Sequence, residues 1–158
     1  MTTELQTGDA APSFDLPTDG EGRVRLADLS GQTVVLYFYP KDDTSGCTSE
    51  AQAFTTLGED FKKAGAVVIG VSKDSVKSHD KFKAKYGLEL ILASDEGGAV
   101  VEAYGAWVEK SMYGRKYMGI DRSTFLIDGT GVVRQIWRKV KVPGHADQVL
   151  KAVKALKA

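Results

Sequence analysis

Two continuous apolar runs, Val34-Val35-Leu36-Tyr37-Phe38-Tyr39 and Ala66-Val67-Val68-Ile69-Gly70-Val71-Ser72, constrain most strongly what this chain can fold into. A strand with one wet face alternates apolar and polar side chains. A run of strand formers without that alternation belongs inside a mostly parallel sheet buried on both faces. Each run precedes a helix-like stretch, the first over 46–63 with Gly65 at its end, the second over 76–86 with Gly87 at its end. Strands separated by helices predict right-handed βαβ crossovers and an α/β fold whose central sheet is covered on both faces. Residues 89–93 read as a short strand and 98–104 as a short helix. Segments 124–128 and 132–138 flank Gly129-Thr130-Gly131 and read as a hairpin. An amphipathic helix over 146–156 follows, with Val149, Leu150, Val153 and Leu156 on one face. The opening segment, 2–29, is turn-rich and holds only short extended pieces, bounded by Pro12, Pro17 and Asp19-Gly20. With 158 residues and no repeats or linkers, one domain spanning 1–158 is expected.

Cys47 is the one cysteine of the sequence. A lone cysteine is more often an inert buried hydrophobe than a nucleophile. Here it follows the turn Pro40-Lys41-Asp42-Asp43-Thr44-Ser45-Gly46, where packing alone does not call for a thiol. Pro40 ends the strand because it has no N–H to donate, and Thr44 or Ser45 can cap the next helix. Cys47 therefore falls in the first turn of a helix, where unpaired N–H groups and a partial positive charge favour an anion. That field contributes typically about 0.3–1 kcal/mol, too little by itself to keep a thiol ionised. Asp42, Asp43 and Glu50 oppose ionisation if they point inward, so a cation is required.

Charge and composition narrow the function classes. Twenty-one basic and 21 acidic side chains cancel, which gives no reason to expect nucleic acid or an anionic membrane as a partner. The apolar runs are too short to span a bilayer, and no basic, apolar, small-residue leader opens the sequence. One cysteine cannot form an internal disulfide, so no extracellular staple framework exists. The expectation is a soluble, cytoplasmic protein. His79 and His145 with a single cysteine do not make a zinc spacing, and no cofactor is expected. Both are read as surface or capping histidines, with a Cys–His hydrolase dyad as a distant alternative. The Gly-x-Gly sequences lack the strand and helix context of a nucleotide fingerprint. Trp107, Met112, Tyr113, Tyr117 and Met118 cluster in a Gly- and Lys-rich stretch. They are open to three readings: the mouth of a site, a partner surface, or loop residues packed on the core.

The pattern Pro40-x-x-x-Thr44-x-x-Cys47 resembles the active-site signature of the peroxiredoxins. Ala11-Pro12-Ser13-Phe14-Asp15-Leu16-Pro17, the stretch 34–50, Gly70-Val71-Ser72-Lys73-Asp74, Arg122-Ser123-Thr124-Phe125-Leu126-Ile127-Asp128 and the segment 138–146 resemble, in order and spacing, the bacterioferritin-comigratory (PrxQ) branch. The resemblance implies a thioredoxin-like fold with a central mixed sheet flanked by helices and an N-terminal extension. It implies a thiol-dependent peroxidase in which Cys47 attacks hydrogen peroxide or an alkyl hydroperoxide and becomes a sulfenic acid. Arg122 is then the missing cation, Thr44 the hydroxyl that hydrogen-bonds the peroxide, and Pro40 the residue that shields the thiolate and sets the loop. The N–H groups of Gly46 and Cys47 polarise the peroxide, and Glu50 either orients Arg122 through a bidentate ion pair or is a solvated acid in the first turn. A monomer is also implied.

Two departures from the branch matter. Many members carry a second, resolving cysteine at the position of Gln52 or of Lys83, and here both are absent. The sequence therefore implies a one-cysteine cycle. An external thiol such as thioredoxin or glutaredoxin with glutathione would reduce Cys47, or two copies would join transiently through it. Ser45, where many relatives have proline, is a milder departure. The rival function is a redox sensor or thiol-regulated binding protein on the same fold, oxidised at Cys47 without turnover. No Cys-x-x-Cys exists, which excludes a thioredoxin-type disulfide reductase.

Overall fold

The structure, a computed structural model, describes residues 5–157. Residues 2–4 of the turn-rich opening segment lie outside it. The first apolar run forms β3 (Thr33–Phe38) and the second β4 (Ala66–Ser72). The two pair in parallel, and β4 pairs in parallel with β5 (Ile91–Ser94). All six residues of β3 are buried, as a run without polar alternation requires. Alternate side chains serve opposite layers. Val34, Leu36 and Phe38 pack with Val100, Val101, Tyr104 and Phe125. Val35, Tyr37 and Tyr39 face Cys47, Phe54, Phe82 and Val149.

The other strands make the sheet mixed. On one side β8 (Ser123–Ile127) and β9 (Val133–Trp137) form the expected hairpin, antiparallel to each other and to β3. On the other side β1 (Asp15–Thr18) and β2 (Gly22–Arg25) form an N-terminal hairpin, joined to β5 at Thr18. The seven-stranded order is β2-β1-β5-β4-β3-β8-β9. Helices α1 (Ser45–Thr56), α2 (Gly58–Lys63), α3 (Val76–Tyr86) and α5 (His145–Lys157) supply buried side chains to the Tyr37 face. Helix α4 (Ala99–Ala103) covers the opposite face. Among the described residues no helix is long and apolar enough to cross a membrane.

Two elements differ from the sequence reading. The single helix expected over 46–63 is broken at Leu57, whose ψ of 8° leaves the helical range just before Gly58, a poor helix former. The break lets Phe54 and Phe61 meet with ring centroids 5.8 Å apart over the sheet. The aromatic and Met-containing stretch is a second hairpin, β6 (Trp107–Met112) and β7 (Arg115–Ile120). Its two-residue turn, Tyr113-Gly114, has φ of 53° and 77°, the positive pair that a tight hairpin demands. Met112, Tyr113, Tyr117 and Met118 are exposed there, so they are not core residues. Trp107 packs partly against the core under Lys73, whose Nζ lies 4.2 Å from its ring centroid.

Gly70 explains how a tyrosine fits beneath the helices. A Cβ at Gly70 would lie 2.8 Å from both Cζ and the hydroxyl of Tyr37, so the bare backbone of β4 is the floor on which that ring rests. Phe54 stacks on the ring at 4.8 Å. Gly70→Ala is expected to cost about 1–3 kcal/mol of stability by overpacking, read as a lowered urea midpoint. The cost should shrink in a Tyr37→Leu background, and an equal cost in both backgrounds would separate Gly70 from Tyr37.

Candidate active site

Sheet register places the two halves of the site side by side. Phe38, the last residue of β3, pairs with Ser123, the first of β8. Arg122 therefore enters beside the point where the chain leaves β3 for α1. Tyr39 makes one more backbone bond, its N–H to the carbonyl of Val71, before exposed Pro40 turns the chain away. Thr44 follows at the N-cap position with extended φ and ψ. The first helical bond runs from the Thr48 N–H to the Thr44 carbonyl at 2.8 Å. The N–H groups of Gly46 and Cys47 thus precede the hydrogen-bonded ladder.

Cys47 is 2% exposed. Arg122 reaches over Gly46 to it, with Nη2 donating to Sγ at 3.3 Å and Nη1 donating to Glu50 Oε1 at 2.6 Å. The guanidinium fork thus bridges two side chains on one face of α1, three residues apart. The approach is close at Gly46, where a Cβ would sit 3.1 Å from Nη2 and push the guanidinium back by a few tenths of an ångström. Glu50 engages Arg122 through one oxygen only, so the expected bidentate pair with the carboxylate is instead a fork shared between carboxylate and sulfur. Burial opposes the charge of Arg122, but Glu50 and Cys47 outweigh it and raise its pKa. Burial raises Glu50 to about 7, an effect that Arg122 partly offsets.

The remaining residues fall into place around this fork. The Thr44 hydroxyl does not cap α1; it donates to the Lys41 carbonyl at 2.9 Å, leaving its lone pairs for another donor. Asp42 and Asp43 turn away from the thiol. Asp42 accepts from Tyr39 and Ser78, and Asp43 pairs with Lys85 at 2.8 Å and accepts from Tyr86. Gln52 is exposed, and Lys83 donates to Asp19 at 2.7 Å and to the Leu90 carbonyl at 2.9 Å. A cleft of about 340 Å³ lined by Leu26, Leu29, Val34 and Gly129 opens at the other end of β3 and takes no part in this site.

Both histidines are buried, which corrects their reading as surface or capping residues. His79 bonds Asp42 Oδ2 through Nδ1 at 2.7 Å and the Ala93 carbonyl through Nε2 at 3.0 Å. His145 bonds the Thr124 hydroxyl at 2.7 Å and stands edge-on to Trp137 and Phe54. Burial, with Arg122 adding to it, lowers His145 to about 4. The side chain bonded to Cys47 is Arg122 and not a histidine, which leaves a hydrolase dyad without its geometry. Sequence reasoning missed Tyr37, whose buried hydroxyl, like Glu50 Oε2, has no hydrogen-bond partner among the described residues. Burial and then Glu50 push the Tyr37 phenol well above its ordinary range.

The AhpC/TSA family profile matches residues 7–136. The chain belongs to the AhpC/TSA family. Within it, this chain is a peroxiredoxin of the Bcp (PrxQ) branch. It is 52% identical to the putative peroxiredoxin Bcp of Coxiella burnetii over 92% of this chain and 97% of that one. It is 46% identical to peroxiredoxin Bcp of Bacillus subtilis over 98% and 97% of the two chains. The bacterioferritin comigratory protein of Xanthomonas campestris, solved in work on its alkyl peroxide reduction, superposes with a TM-score of 0.88 at 49% identity, covering 92% of each chain. The PrxQ of Xylella fastidiosa superposes at 0.94 and 42% identity over 99% of this chain and 100% of its own. These likenesses establish the thioredoxin-like fold of this peroxiredoxin. Serine variants at two separate cysteines have been solved for the Xanthomonas protein, and those two have the same sequence separation as Cys47 and Lys83 here.

The buried carboxyl gives this peroxiredoxin a pH signature. Below its ordinary value of 4.5 Glu50 is neutral whether the chain is folded or not; from there to about 7 only the unfolded chain has released the proton. Stability attributable to Glu50 is therefore full below 4.5 and is lost as pH rises toward 7. Urea midpoints of wild type and Glu50→Gln compared across that window should converge or cross as pH rises. Parallel curves would mean that Glu50 is not held protonated by burial.

Proposed function

We propose that this peroxiredoxin reduces hydrogen peroxide and alkyl hydroperoxides through Cys47 in a one-cysteine cycle, as one domain acting as a cytoplasmic monomer. The observation that carries this reading is the Arg122 fork, with one arm on Glu50 and the other on Cys47 Sγ. A permanent cation at the sulfur supplies what the helix N-terminus alone cannot. The Cys47 thiolate attacks the terminal oxygen of the peroxide, forming the S–O bond as the O–O bond breaks. The departing oxygen leaves with the electron pair and takes a proton from solvent, and Cys47 becomes a sulfenic acid.

Each neighbour has a role in that step. Thr44, whose own proton is committed to the Lys41 carbonyl, accepts the peroxide O–H and so orients it. Arg122 and the N–H groups of Gly46 and Cys47 stabilise the charge that moves onto the leaving oxygen. Glu50 positions Arg122, and Pro40 sets the loop and limits solvent at the sulfur. Alkyl peroxides are included because the Xanthomonas relative is described by its alkyl peroxide reduction. With Gln52 and Lys83 at the two positions where a resolving cysteine is found, an external thiol completes the cycle. One thiol displaces water from the sulfenic acid to give a mixed disulfide. A second releases Cys47 as the thiol. Thioredoxin and glutaredoxin with glutathione are the candidate donors. A stoichiometric sensor finds no support in relatives described by peroxide reduction.

Thiol loss on mixing with one equivalent of hydrogen peroxide tests the reading. It should exceed that of free cysteine at equal thiolate concentration by orders of magnitude. A sulfenic-acid trap should add mass on Cys47 only, and Cys47→Ser should lose both signals. A rate no faster than free cysteine would reject a built peroxide site. Fast oxidation followed by no turnover with any thiol would favour the sensor.

A further inference from the structure

The hairpin of β6 and β7 stands on a packed base and is otherwise out in solvent. Trp107 and Ile120, paired at that base, join the core, and every residue from Ser111 to Met118 is exposed. A two-stranded ribbon gains little stability from its own pairing, so the fold does not account for what the hairpin presents. Strand alternation puts Lys110, Met112, Arg115 and Tyr117 on the face opposite Trp107 and Ile120. That face is flattened at Gly119, where a Cβ would lie 3.3 Å from Cδ of Lys110 and 3.4 Å from Cε2 of Tyr117. The Lys110 stem and the Tyr117 ring therefore lie over bare backbone, with the charge left at the rim. Met112 is 56% exposed and Tyr117 45%. Met, Tyr and Arg together make the composition of an interface core, not that of a solvated face.

Charge says what fits it. The chain as a whole carries 21 basic and 21 acidic side chains, yet this end is one-sided. Among the described residues Lys110 and Arg115 have no acidic partner, and Lys116 reaches Glu109 only at 3.9 Å. Exposed Lys139 and Lys141 flank Val140, whose N–H donates to the Arg122 carbonyl at 2.9 Å. A second copy of the chain laid face to face would bring like charges together. An acidic surface with apolar side chains complements the hairpin instead. Location says what such a partner does. The Asp121 N–H closes the hairpin on the Ala106 carbonyl at 2.7 Å, and the next residue is Arg122, whose guanidinium bonds Cys47. With no second cysteine in the chain, the thiol that reduces Cys47 comes from outside and arrives at this end of the sheet.

We propose that the β6–β7 hairpin is the docking arm for an acidic protein dithiol, which lays an acidic and apolar surface on Lys110, Met112, Arg115 and Tyr117 while it reduces oxidised Cys47. Its first thiol displaces water from the sulfenic acid to form a mixed disulfide. Its second displaces Cys47, leaving the partner oxidised to a disulfide. The docking role rests on Cys47 acting as the peroxide-reactive sulfur.

Steady-state turnover with an acidic thioredoxin, kept reduced by its reductase and NADPH, tests it beside dithiothreitol as a small uncharged dithiol. Lys110→Glu combined with Arg115→Glu should raise KM for thioredoxin by about tenfold or more, and Tyr117→Ser several-fold, with kcat moved less. Turnover with dithiothreitol and the rate of Cys47 oxidation by hydrogen peroxide should stay at wild-type values, which a damaged fold would not allow. Added salt should raise the wild-type KM and should not raise that of the charge-reversed variant. An unmoved KM, losses with dithiothreitol as large as those with thioredoxin, or a wild type that turns over with dithiothreitol and not with thioredoxin would overturn the docking arm. A wild type oxidised no faster than free cysteine would instead overturn the peroxidase reading, and the docking arm with it.

Discussion

One guanidinium holds the site together. Arg122 donates to a sulfur and to a carboxylate that lie on the same face of the same helix, and it remains charged in a place where burial works against charge. Glu50 explains why it stays. A carboxyl that burial raises to about 7 is an unfavourable thing to enclose, and its one engaged oxygen is the one facing Arg122. Without that partner the guanidinium, 17% exposed, has a path to water; with it, the second arm is left pointing at Cys47. The stability given up in enclosing Glu50 is the cost of keeping a cation aimed at a sulfur.

The fold makes this bridge possible without any local sequence contact between its parts. Arg122 and Cys47 are far apart along the chain, and they meet because β8 pairs antiparallel with β3 so that the entry of one strand lies beside the exit of the other. The burial of β3 on both faces fixes that exit. Gly46 and Gly70 are where side chains are omitted so that others can pass, Arg122 in the first case and Tyr37 in the second. Below the bridge the Tyr37 hydroxyl and Glu50 Oε2 stay unpaired among the described residues, a cost tolerated next to the chemistry and absent from the apolar layer on the other face of the sheet.

Much of this was legible in the sequence, and the exceptions share a cause. The strand 66–72 and the helix 76–86 were readable because runs of strand formers, helical spacing and a terminal glycine are local signals. Cys47, Glu50 and Arg122 could be nominated together from the motif, though the sharing of the fork between sulfur and carboxylate could not. The hairpin of β6 and β7 escaped because only its base, Trp107 and Ile120, packs on the core, and its turn is Tyr113-Gly114 in place of the usual Asn-Gly. His79 and His145 were misread because what buries them comes from elsewhere in the chain: Asp42 for the first, Thr124 and Trp137 for the second. Histidine carries no local mark that separates an exposed ring from one enclosed by tertiary partners.

The dependence of the sulfur on the shared fork can be measured with a double-mutant cycle on the rate of Cys47 oxidation by hydrogen peroxide, using Glu50→Gln, Arg122→Lys and the pair. Lysine keeps the charge and loses the fork, and glutamine keeps the shape and loses the carboxylate. If Glu50 acts by aiming Arg122, the double variant should be no slower than Arg122→Lys alone. Losses that multiply in the double variant would show that the two residues act on Cys47 independently, and would contradict the bridge as the basis of the site.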